Sequence, residues 1–162
     1  MPARTRLALG WYQVLGGLAG MLSAGLLAAK GSAGLRQGLT LVAAAAFFME
    51  LGLAGALLLR GHGWARPLSI LVQGLQIPKL FTSLFVYELY GPLTATVELR
   101  PARWSLGVGL EVGGGFNLGI GAAPVVAVLG VNVVAAAVLW LLLHSPASPG
   151  LPPTVRERER ST

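Results

Sequence analysis

Apolar residues run along this chain in long blocks, with polar side chains placed singly inside them. Four blocks reach the roughly 20 residues that a helix needs to cross a bilayer. Residues 7–29 and 122–143 carry no charge, 39–59 carry Glu50, and 67–87 carry Lys79. The links between the first three are short, so consecutive helices would be antiparallel neighbours. Residues 104–121 follow a different rhythm. Leu106, Val108, Leu110 and Val112 alternate with Ser105, Gly107, Gly109 and Glu111, and Phe116, Leu118 and Ile120 resume the alternation beyond Gly113–Gly115. Period 2 around a glycine cluster predicts a β-hairpin pairing 105–112 with 116–121, the alternative being an irregular glycine-rich loop. Residues 94–99 (TATVEL) offer a third strand. An open strand edge is not tolerated in lipid, which puts the hairpin at or above the outer interface. The expected fold is therefore all-α and membrane-embedded: a bundle of four transmembrane helices with a short extramembranous β-hairpin between helices three and four.

Composition agrees with a membrane setting. Charged residues make up 11% of the 162 and the mean hydropathy is +0.70, whereas soluble domains carry about 25% charge. No cysteine is present, which excludes disulfides and thiol chemistry. The net charge of +6 is spread between the apolar blocks, so it does not point to nucleic acid. With the N-terminus inside, the inner side holds Arg4, Arg6, Arg60, Arg66, Arg156, Arg158 and Arg160, and the outer side Lys30, Arg36, Arg100 and Arg103. That bias predicts both termini in the cytoplasm, in a bacterial inner membrane. The first apolar run is longer than the roughly 7–15 residues of a signal peptide and reads as a span. Residues 1–6 form a basic cytoplasmic start, 7–143 a single membrane domain, and 145–162 a disordered tail rich in proline and charge. Trp11, Trp64, Trp104 and Trp140 fall near the expected span ends, as interfacial anchors do.

The candidate chemistry lies in the polar residues within the blocks. Glu50 sits near the middle of the second span, where a charge costs about 2.5–3.5 kcal/mol on insertion scales. Its face carries Ala43, Ala46 and Ala54, so it is expected to point into the bundle. In the third span Ser69, Gln73, Gln76, Ser83 and Tyr87 share one face, with Lys79 at its margin. Antiparallel packing would place Gln76 level with Glu50, and Lys79 within snorkelling reach as its ion partner. Pro78, loosened by Gly74, is expected to kink this span. Asn132 in the fourth span and Gln13 in the first complete an intramembrane polar cluster. Gly16, Gly20, Ala24 and Ala28 form a small-residue ridge suited to helix contact.

Two readings of the Glu50–Lys79 pair stay open: a structural pair that fixes helix register, or the lining of an aqueous cavity, proton relay or substrate site. His62 and His144 stand apart from other ligand types, so no metal site is expected, and no nucleotide-binding or hydrolase motif calls for a cofactor. The sequence thus favours a non-enzymatic accessory, assembly or sensing module. Its partners would be the bilayer and a second copy or membrane protein docked on small-residue faces. The alternative is a small transporter or proton-coupled carrier that uses Glu50, Lys79 and Gln76.

Overall fold

Glycine spacing sets the first contact in the structure, a computed structural model that describes residues 1–31, 34–120 and 127–145. Helix α1 (Ala3–Ala29) and helix α2 (Leu35–Arg60) pack antiparallel along their length. Gly10, Gly16, Gly17 and Gly20 all fall on the buried face of α1. A Cβ on Gly17 would lie 2.7 Å from the backbone of Gly52, and one on Gly55 would lie 2.6 Å from the Gly10 carbonyl. The two backbones therefore nearly touch, as small-residue helix pairs do. Gly61, at φ +69°, ends α2 in a left-handed cap. Its N–H donates to Leu58 O while that of His62 donates to Leu57 O, the paired bonds that stop a helix sharply.

Helix α3 (Ala65–Gln76) buries Ser69, Val72, Gln73 and Gln76. Beyond it the chain turns into a sheet. Strands β1 (Pro78–Phe81), β2 (Phe85–Tyr90), β3 (Leu93–Arg100), β4 (Ser105–Val112), β5 (Gly115–Ile120) and β6 (Val128–Asn132) precede a last helix, α4 (Val133–His144). All strand pairs are antiparallel, in the order β4-β3-β6-β1-β2-β5. A single 3₁₀ turn (Pro101–Arg103) links β3 to β4.

The four-span all-α bundle is therefore not the fold. Among the described residues four helices accompany a six-stranded antiparallel sheet, and only α1 and α2 are long and apolar enough to cross a membrane. Pro78 does not kink a third span; it opens β1, because proline offers no N–H to continue a helix and the next residues are rich in β-formers. The fourth apolar run is divided as well. Residues 128–132 form β6, Asn132 begins α4, and the 12 residues of α4 rise only about 18 Å. Residues 121–126 and 146–162, the start of that expected span and nearly all of the expected tail, lie outside the described residues.

Both strands of the expected hairpin form, but they do not pair with each other. β4 pairs with β3, and β5 with β2, at opposite ends of the sheet. Laid flat, five strand spacings would separate them by roughly 24 Å. Yet only Gly113 and Gly114 connect them, a reach of about 10 Å from Val112 to Gly115. The sheet must therefore curl until its edges approach. Gly113 makes the turn at φ +118°. Gly114 seats the turn on α1, where a Cβ would lie 2.5 Å from Gly20 N, and Ser23 Oγ donates to its carbonyl at 2.8 Å.

Curling gives the sheet a polar inside and an apolar outside. Register places Lys79, Glu88, Thr94, Thr96, Glu98, Glu111, Asn117 and Asn132 on the concave face. On the convex face Leu89, Phe116 and Leu118 pack against Phe47, Phe48 and Leu51 of α2. Leu106, Val108, Leu110 and Val112 of β4 are left 72–84% exposed.

Asn132 shows how one polar residue serves two elements. It ends β6, and its Oδ1 accepts from the N–H groups of Val134 and Ala135, capping α4. Asn132→Ala should lower stability by about 1–2 kcal/mol, with Asn132→Asp keeping most of it, as thermal melts of the detergent-solubilised protein would show.

Candidate functional site

The concave face is crowded only where its neighbours are small. Lys79 on β1, Gly130 on β6 and Glu98 on β3 lie in one cross-strand row. Glycine in the middle leaves the space over β6 open, and the ion pair between β1 and β3 passes across it. Lys79 Nζ lies 2.9 Å from Glu98 Oε1, 2.5 Å from Glu88 Oε1 on β2, and 3.7 Å from Glu111 Oε1 on β4. One ammonium thus ties together four of the six strands. Glu88 also accepts from Asn117 Nδ2 on β5 at 2.6 Å, and Glu98 from Arg100 Nη2 at 3.3 Å. Lys79, Glu88 and Glu98 are each buried.

The charges tune one another. Burial acts to lower the Lys79 pKa, but hydrogen bonds and charge from Glu88 and Glu98 outweigh it and raise the value above 10.5. The Lys79 hydrogen bond, joined by Arg100, holds Glu98 below its ordinary 4.5 against the opposing effect of burial. A lysine held as ammonium has no lone pair, so it cannot attack a carbonyl or take up a proton at neutral pH. Chemically, the cluster clamps the sheet.

The structure separates the residues that the sequence grouped. Glu50 is exposed on α2, far in angle from the buried face centred on Phe48 and Leu51, and does not meet Lys79. The pairing assumed that 67–87 continues as helix, which would have aimed Lys79 at α2. Gln13 of α1 and Gln73 and Gln76 of α3 are all buried, and Ser69 links α3 to Gln13. Ser69 Oγ donates to Gln13 Oε1 at 3.0 Å, and Gln76 Nε2 donates to Val72 O. Asn132 is a helix cap rather than a mid-span amide, and Gly74 lies in the last turn of α3, where its carbonyl accepts from Ile77 N.

Glu88, Glu98, Glu111, Asn117 and Arg100 were not among the candidates. A signal for them existed. The alternation in 94–99 puts Thr94, Thr96 and Glu98 on one face, and that in 105–112 puts Glu111 opposite the leucines and valines. Several buried groups have no protein partner among the described residues: both amide atoms of Gln73, Gln76 Oε1, and the hydroxyls of Thr94 and Thr96. No grouping of His, Asp and Glu suited to a metal ion occurs among the described residues. No family model matches the chain, and no curated protein or solved structure matches it either.

Proposed function

We propose that this protein is a non-enzymatic membrane module in which the α1–α2 hairpin is the lipid anchor and the curled sheet is an accessory body fixed to it. One observation carries the reading: the two long helices bury amides and small residues against their neighbours and leave large apolar side chains uncovered along their outer faces. Gln13 and Gln73 are 0% exposed, while Leu18 and Leu22 of α1 are 64% and 65% exposed. Only 28% of the most apolar stretch of α1 and 39% of that of α2 is buried. The core helix of a soluble protein would be covered, and uncovered apolar surface of this extent marks contact with lipid or protein. Each helix is roughly 40 Å long, enough to span. Arg4, Arg6, Arg60 and Arg66 flank one end of the hairpin, against Lys30 and Arg36 at the other, which favours the first end inside. The clamped ammonium of Lys79 supports an accessory role over a catalytic one. The carrier reading loses Glu50 from its polar cluster.

The full chain should stay in the membrane pellet after alkaline carbonate washing. Because the chain has no cysteine, His62→Cys and Gly34→Cys give clean topology reporters. An impermeant maleimide should label the first only from the cytoplasmic side and the second only from the opposite side. Release of a monomer by carbonate would overturn the reading.

A further inference from the structure

At the basic end of the hairpin four helix ends surround a cavity of about 290 Å³. Its walls include Arg6 of α1, His62 beyond α2, Arg66 of α3, and the apolar Leu58, Ala65 and Leu142. No acidic residue is among the described residues that line it. Arg66 donates through Nε to Leu142 O and through Nη2 to Leu143 O, both at 3.0 Å, so among the described residues its charge meets neutral carbonyls and no carboxylate. Arg6 is less satisfied. Its Nε is buried without a partner among the described residues. Its guanidinium lies over Gly61, where a Cβ would fall 2.6 Å from Nη1. Two guanidiniums without a carboxylate partner among the described residues thus face one space. The N-terminal ends of α1 and α3 and the C-terminal ends of α2 and α4 meet there and their dipoles offset one another, so the positive potential comes from the arginines.

We infer that this cavity binds a phosphate ester. Two guanidinium forks on separate helices are served best by an anion with several oxygens around one centre, and arginine–phosphate pairs are the strong case. The volume, on the order of ten water molecules, exceeds what a bare phosphate fills. The apolar residues line the space for the organic part. Two sources share this chemistry: a soluble phosphate ester, and the headgroup of an anionic phospholipid. The lipid source rests on the membrane reading above, whereas the phosphate site does not. In favour of the lipid, Trp64 is 72% and Trp140 58% exposed at this same end, where interfacial tryptophans mark headgroup depth.

The test uses full-length protein in a zwitterionic detergent, titrated calorimetrically with glycerol 3-phosphate, short-chain phosphatidylglycerol and short-chain phosphatidylcholine. Arg6 makes no side-chain hydrogen bond among the described residues, so Arg6→Gln should fold and should weaken binding about tenfold or more. Arg66→Gln also removes two bonds to α4, so Arg66→Lys, which keeps the charge and loses the fork, is the second variant and should weaken binding by a smaller factor. Binding of phosphatidylglycerol alone assigns the site to a lipid headgroup. Equal binding of glycerol 3-phosphate assigns it to a soluble ester. Failure of both phosphate esters to bind, binding of phosphatidylcholine as tight as that of phosphatidylglycerol, or unchanged binding in Arg6→Gln would overturn the inference. Because these titrations need no bilayer, protein that carbonate strips from membranes but that still binds through Arg6 would refute the membrane reading alone.

Discussion

Lys79→Met should destabilise the fold by about 3–5 kcal/mol, because it leaves Glu88 and Glu98 buried without their shared cation. Arg100 remains near Glu98 but reaches only that carboxylate, and Asn117 offers Glu88 an amide in place of a charge. The triple variant Lys79→Met, Glu88→Gln, Glu98→Gln removes both the cation and its two buried partners and should recover most of the loss. Chemical denaturation in mild detergent, with the sheet signal followed by circular dichroism, would read both. A loss in Lys79→Met no larger than that of an exposed substitution would show that the clamp contributes nothing. The same cluster sets a pH window. Glu98 ionises below its ordinary 4.5, so its contribution is present above that pH and fades as pH falls through the lowered value. Lys79 holds its proton beyond 10.5, so its contribution is present below that pH and fades as pH climbs through the raised value. The sheet should be most stable between the two limits.

The other large effect belongs to the helix pair. Gly17→Leu puts a side chain where the obstruction is backbone at Gly52 and at the Phe48 carbonyl, neither of which can swing aside. The helices must separate, and the cost should reach or pass the upper end of the roughly 1–3 kcal/mol usual for overpacking. Gly25 lies on the same helix with nothing within 4 Å of its Cβ position. Gly25→Ala should stabilise by up to about 1 kcal/mol through helix propensity alone. Thermal melts of the two variants should move in opposite directions. Parallel shifts would mean that α1 does not pack on α2 through this face.

The two long helices were legible because a block of more than 20 apolar residues has few other uses, and α1 and α2 lie within a few residues of the expected ends. The polar stripe Ser69, Gln73, Gln76 was legible for the same reason as any helical face: its i, i+4, i+7 spacing is real and all three are buried. Extending that stripe to Ser83 and Tyr87 failed because a short apolar run with Pro78 inside it fits helix and strand alike. β4 and β5 announced themselves by alternation. Alternation fixes which face a residue takes, but not which strand it will pair with. The glycine turn suggested a local hairpin, whereas the strand order puts the two strands at opposite edges, which the curl of the sheet brings close enough for two glycines to join. The clamp was hidden for the same reason. Lys79, Glu88, Glu98 and Glu111 meet only once four strands are in register, and nothing local in the sequence links them.

The strand order has a consequence for how the chain is made. β6 is the last strand to leave the ribosome, and it lies in the middle of the sheet, between β1 and β3. Until residues 128–132 emerge, the nascent chain can assemble only two fragments, β1-β2-β5 and β3-β4, each with an open edge where β6 belongs. Lys79 waits on one fragment and Glu98 on the other. Pairing across so much sequence is slow, and an unpaired edge in the meantime invites a wrong partner. Synthesis interrupted anywhere before Val128 should therefore yield a sticky, misassembling intermediate rather than a smaller stable protein. Release of the C-terminal segment becomes the step at which the fold commits.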